Sequence, residues 1–182
     1  MKICIYAASS ENIADVYFEK CEEFGSELAR RGHAIVFGGG KRGLMGACAR
    51  GVYGENGEIF GVIPKFFYID GLLFGYCTEH YITETMRERK AKMEELSDAF
   101  VMLPGGLGTF DEFFEILTLR KLDLHEKPIG ILNVNGFYDD MIRMLRKYAQ
   151  EGFIPENVFD VLDIAEDPDE LLDKLEKRLS EK

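Results

Sequence analysis

A chain of 182 residues, 46% hydrophobic and 30% charged, is long enough for one domain with a substantial core and too evenly balanced for a disordered segment. Its net charge of −11 counts against nucleic acid, whose binding rests on Lys and Arg neutralising phosphates, while leaving room for a small anion held by a local basic cluster. No stretch nears the ~20 apolar residues that cross a bilayer, and the chain opens on a strand-like run where a signal peptide would carry its apolar segment. The expectation is a soluble, cytoplasmic protein with no membrane partner.

Strand-like and helix-like segments alternate along the chain, the pattern of a doubly wound α/β parallel sheet with helices on both faces, here in a single domain. Lys2–Ala7 reads as the first strand. Ser9 or Ser10 would cap a helix whose apolar stripe runs Ile13, Val16, Tyr17, Cys21, Phe24, Leu28 before Gly32 ends it. Ala34–Phe37 is a short buried strand, followed by three glycines and a helix from about Leu44 to Tyr53. Gly54-Glu55-Asn56-Gly57 turns into the strand Glu58–Ile63, stopped by Pro64. Lys65 to Ile82 is irregular and rich in Phe, Tyr and Gly, with no assigned element. Thr85–Ser97 is helical, Ala99–Leu103 a strand, Thr109–Leu122 a helix and Pro128–Leu132 a strand; Phe137–Gln150 and Pro168–Leu179 close the chain as helices.

Cys4, Cys21, Cys48 and Cys77 form no paired framework, and Cys4 and Cys21 read as small buried hydrophobes. His33, His80 and His125 lack metal-ligand spacing, so no metal site is expected.

In open parallel sheets ligands bind beyond the carboxyl ends of the strands. Three turns there carry unusual chemistry: Ser9-Ser10, the run Gly38-Gly39-Gly40-Lys41-Arg42-Gly43, and Pro104-Gly105-Gly106-Leu107-Gly108-Thr109. Glycine lets backbone approach a ligand, and a following helix aims free N–H groups and its positive dipole end at it, an arrangement suited to phosphate. Gly38, Gly40 and Gly43 formally match G-x-G-x-x-G, but the loop follows the second strand and no acid closes Glu58–Ile63 to take a ribose hydroxyl. Each loop alone could be no more than a tight strand-to-helix turn.

On the helix after Thr85 the apolar positions Met86, Met93 and Leu96 share a stripe with Arg89 and Lys90, whereas Arg87, Glu88, Lys92, Glu94 and Glu95 fall largely on the other side. Cations on an inward stripe either snorkel to the rim or face an anion, with planar Arg89 suited to a bidentate carboxylate or phosphate. On the next helix Thr109 and Glu112 have capping-box spacing, which would account for both residues structurally. Alternatively Glu112 and Glu115, three apart on one face at the ligand edge, could stabilise oxocarbenium charge or activate water beside a ribosyl carbon.

Met86-Arg87-Glu88-Arg89-Lys90 and Pro104-Gly105-Gly106-Leu107-Gly108-Thr109-Phe110-Asp111-Glu112 closely resemble the paired motifs M-x-x-R-K and P-G-G-x-G-T-x-x-E of the LONELY GUY family. The likeness runs from the first strand to Leu132-Asn133-Val134-Asn135-Gly136-Phe137-Tyr138. It implies a Rossmann-like homodimer without metal or cofactor that acts as a cytokinin riboside 5′-monophosphate phosphoribohydrolase. The family's catalytic pair maps onto Arg89 and Glu112. Its substrate-binding positions map onto Lys90, the Gly106–Glu112 loop with Gly108 and Thr109, and Thr118; Ser9, Ser10, Gly39, Gly40, Gly105 and Glu115 complete the expected substrate contacts. Lys41-Arg42 stand where the family carries small neutral residues, and Ala7-Ala8-Ser9-Ser10 where it carries C-G-S-S. Relatives place a ribose- or base-contacting acid within 65–82, for which Asp70 is the candidate here. The runner-up is a non-catalytic nucleotide or cofactor carrier, a role the same fold also hosts; a carrier needs the glycine loops but no carboxylate at a scissile carbon.

Overall fold

The computed structural model describes residues 1–69 and 71–181, so Asp70 lies outside the described residues. The elements are, in order, β1 (Lys2–Tyr6), α1 (Asp15–Arg30), β2 (Ala34–Phe37), α2 (Gly43–Gly54), β3 (Ile59–Pro64), β4 (Glu79–Thr83), α3 (Met86–Leu96), β5 (Ala99–Met102), α4 (Leu107–Lys121), β6 (Ile129–Leu132), α5 (Asp139–Gln150), β7 (Leu162–Ala165) and α6 (Pro168–Ser180). The seven strands pair in the order β4-β3-β2-β1-β5-β6-β7, and every pairing is parallel. The order reverses between β1 and β5, where strands leave in opposite directions and open the crevice typical of such sheets.

Two apolar layers follow from the strand period of two. Ile3, Ile5, Ile35 and Phe37 face Phe24 and Leu28 of α1, Ala47 and Val52 of α2, and Leu171 and Leu175 of α6. Cys4, Tyr6, Val36, Val62, Phe100 and Met102 face Met93 of α3, Phe113 and Ile116 of α4, and Met141 and Leu145 of α5. The inner strands are buried on both faces, which is why they read as unbroken apolar runs.

Helices α1 and α2 pack so closely that side chains are excluded at the crossing. A Cβ on Gly25 would lie 2.1 Å from the Cys48 carbonyl oxygen, and one on Gly51 would lie 2.0 Å from that of Glu22. Gly25→Ala is therefore expected to cost about 1–3 kcal/mol of stability despite alanine's better helix propensity. A lower urea midpoint at unchanged slope would show this; an unchanged or higher midpoint would contradict the packing.

Three expectations need correction. Ser9 and Ser10 do not cap α1, which starts at Asp15 with Ala14 at the cap position and no side-chain cap bond. The Ala8 carbonyl is instead committed to α2, accepting the N–H groups of Leu44 and Met45 at 2.9 and 3.2 Å, and the chain runs on past that contact before turning into its own helix. Val16 lies at the surface, 36% exposed. The edge strand β4 begins within the irregular 65–82 segment, and β7, equally unanticipated, forms the opposite edge.

Candidate functional site

The start of α3 is fixed by a reciprocal cap. Thr85 Oγ1 accepts the Glu88 N–H at 3.1 Å, and the Glu88 carboxylate accepts the Glu84 N–H at 2.9 Å. One turn on, Arg89 is 8% exposed and lies over the carboxyl ends of the strands. Its Nε donates to the Val62 carbonyl on β3 at 3.2 Å, and its Nη1 donates to Glu112 Oε1 at 2.6 Å.

Glu112 reaches this position because α4 starts earlier than capping-box spacing implies. Gly106 is the cap residue and Leu107 the first helical one, so Thr109 is already inside the helix, 3% exposed. Gly105 packs over Thr109: a Cβ there would stand 2.1 Å from Thr109 Oγ1. Glu112, the sixth residue of α4, lies beyond reach of the cap and is free to meet Arg89. The capping-box account of Thr109 and Glu112 is thereby overturned. Burial raises the Glu112 carboxyl above its ordinary range, and the neighbouring Arg89 guanidinium only partly offsets the effect.

Lys90 does not share the buried position of Arg89. Its ammonium is at the rim, paired with Asp111 at 3.1 Å and more closely with Glu115. Glu115 first and Asp111 second hold it above the ordinary lysine range. Met86, placed on the inward stripe by spacing, is 38% exposed; only Arg89 and Met93 of α3 are buried. Glu112 and Glu115 do share a face, and with Tyr6, Arg87 and Lys90 they line a cleft of about 70 Å³ between α3 and α4. Tyr6 was missed by sequence reasoning, because its place at the end of an apolar strand carries no signal that it lines the same cleft as Glu112.

The glycine loops divide in role. At Gly106 and Gly108 a Cβ would meet nothing within 4 Å, so packing does not explain the glycines. The N–H groups of Leu107 and Gly108 have no acceptor among the described residues, which leaves this helix start suited to an anion. The triglycine loop is used differently. Gly39 has φ +73° and abuts Ile63, its carbonyl accepts the Phe74 N–H, and Gly40 bridges to Leu73. Two N–H groups at the start of α2 are taken by Ala8, so that end is not the free anion site expected of it. Ser9 and Ser10 are exposed at the same edge. Thr118 is not brought to the pair: it lies six residues beyond Glu112 on α4, about 9 Å along the axis, and its hydroxyl donates back to the Phe114 carbonyl at 2.6 Å.

A Rossmann-like α/β sheet with a buried arginine–carboxylate pair beside an open glycine-loop helix start defines a class of proteins that carry their chemistry on the carboxyl edge of the sheet. The chain belongs to the family described as "Possible lysine decarboxylase", whose model matches residues 45–175, and whose relatives here carry the name LOG. It is 38% identical over 180 residues to the cytokinin riboside 5′-monophosphate phosphoribohydrolase LOG of Oryza sativa subsp. japonica, covering 99% of this chain and 74% of that one. It is 37% identical to a cytokinin riboside 5′-monophosphate phosphoribohydrolase of Arabidopsis thaliana, covering 97% and 82%. Among solved structures, the molybdenum cofactor binding protein of Rippkaea orientalis has the same fold with TM-score 0.75 at 17% identity, over 98% of this chain and 96% of that one.

Proposed function

We propose that this protein hydrolyses the N-glycosidic bond of a nucleoside 5′-monophosphate, AMP or an N6-modified AMP, to free base and ribose 5-phosphate, and that it works as a cytoplasmic homodimer without a cofactor. The observation that carries the reading is the buried Arg89–Glu112 pair, 2.6 Å apart, next to a helix start suited to phosphate. As the bond between C1′ and the base nitrogen lengthens, positive charge grows on the ribosyl carbon. The Glu112 carboxylate stabilises that charge and takes a proton from the attacking water, then returns that proton to the departing base nitrogen, so that the water ends as the new C1′ hydroxyl and the hydrogen on the free base. Arg89 fixes the carboxylate in one orientation. Gly106, Gly108 and Thr109 receive the 5′-phosphate, with Lys90 at the rim and Glu115 holding Lys90.

The names of the relatives support this reaction. Lysine decarboxylation has no such support in the site's chemistry, because an imine-forming lysine needs its pKa lowered, whereas the carboxylates around Lys90 raise it.

Incubation with a panel of nucleosides and nucleoside monophosphates, scored for free base, tests the reading. Binding energy from the phosphate can be spent at the reacting carbon, so removing it should lower turnover as well as affinity. AMP-type substrates are expected to be cleaved and adenosine is not, with the rate unchanged by EDTA. Equal turnover of AMP and adenosine, or loss of activity on chelation, would refute it.

A further inference from the structure

The three guanidinium nitrogens of Arg89 each meet a different part of the fold. Nε donates to the Val62 carbonyl and Nη1 to Glu112. Nη2 lies against Gly38, at the end of β2, where a Cβ would stand 2.2 Å from Nη2 and 3.3 Å from Cζ. The backbone at Gly38 is outside the left-handed region, so alanine could adopt its conformation. What glycine supplies is space, and the Arg89 side chain fills it. The next nearest atom to the added Cβ, Met45 Sδ, is 3.3 Å away, at the end of a flexible side chain that can yield.

We propose that Gly38 is a positioning residue for Arg89: together with the Val62 carbonyl it forms a seat that holds the guanidinium in the plane where Nη1 meets Glu112. The triglycine run thus serves the catalytic pair through its first member, apart from any contact with phosphate. A methyl group in the seat pushes the guanidinium away from Val62 and alters its approach to Glu112, and displacements of about 1 Å can cost 10²-fold in rate.

The kinetic part of the test rests on the reaction proposed above; the spectroscopic part does not. In ¹H–¹⁵N spectra the Arg89 Nε–H signal, identified by its absence in Arg89→Lys, is expected to shift or broaden in Gly38→Ala. The Nε–H signals of Arg31 and Arg178, which are bonded to Glu27 and Asp163, should stay in place. An unmoved Arg89 signal overturns the seat. With AMP as substrate, Gly38→Ala should lower kcat by about 10²-fold with KM changed less than about threefold, and should change the residual rate of Arg89→Ala by less than about twofold. An equal loss in both backgrounds would show that Gly38 acts by another route. If the natural protein releases no base, the reaction proposal fails, and the Arg89 signal still decides the seat. If Gly38→Ala does not fold, adding it to Arg89→Ala/Glu112→Gln, a pair in which no buried charge is left uncompensated, settles the matter: folding once the guanidinium is gone supports the seat, and failure of the triple variant where Arg89→Ala/Glu112→Gln folds overturns it.

Discussion

Glu112→Gln is expected to fold, to bind AMP, and to hydrolyse it about 10²–10⁴-fold more slowly than the natural protein. Glutamine keeps the size and one carbonyl acceptor for Arg89 Nη1, so the contact at 2.6 Å can persist as a neutral hydrogen bond, but it has no charge to place beside an oxocarbenium carbon and no basicity to take a proton from water. Base release, AMP binding and melting temperature measured together separate the outcomes. Unchanged hydrolysis would move the search to Glu115, which lines the same cleft. A stable, AMP-binding, inactive variant would exclude the carrier reading.

The same carboxyl governs two pH dependences. Burial raises its pKa, so the acid limb of kcat should fall at a higher pH than for an ordinary exposed glutamate. For stability, the folded chain holds this proton more tightly than the unfolded one. The group therefore favours folding fully below its unfolded pKa, and that contribution is lost as pH rises through the folded value. Glu112→Gln should remove both dependences. An acid limb that persists unmoved in Glu112→Gln would assign it to another group.

Arg89→Ala should lose about 2–4 kcal/mol of transition-state stabilisation, while Arg87→Ala loses little, although the two are one residue apart. Arg89 is buried against Val62 and Glu112, whereas Arg87, although it also lines the cleft, is exposed and bonds to neither. Removing Arg89 also leaves a buried carboxylate uncompensated, which costs about 3–5 kcal/mol when the partner of a buried pair is deleted. Arg89→Ala should therefore melt lower as well as turn over slowly, and Glu112→Gln added to it should recover stability without recovering rate. Equal kcat/KM in Arg87→Ala and Arg89→Ala would end the assignment of Arg89.

Much of the molecule is local enough to be written in the chain. The inner strands are buried on both faces, so Lys2–Tyr6, Ala34–Phe37 and Ala99–Met102 show as apolar runs bounded by turn residues. Arg89 on an otherwise inward stripe, and glycines leading into Glu112, pointed to the ligand edge from spacing alone. The edge strands Glu79–Thr83 and Leu162–Ala165 carry no such run, since only part of each is covered, and no local pattern marked them. The start of α4 was also decided elsewhere: Gly105 seats on Thr109 and Glu112 is drawn to Arg89, and both contacts prevail over a capping box that local spacing allowed. Lys90 and Arg89, equivalent by periodicity, were separated by what surrounds them, one paired at the rim with Glu115 and Asp111, the other buried over the strand ends. The use of Gly38 is the furthest from local reading. Its missing side chain matters because of a guanidinium 51 positions away in the chain, and only the packing of α3 across β2 and β3 brings the two together.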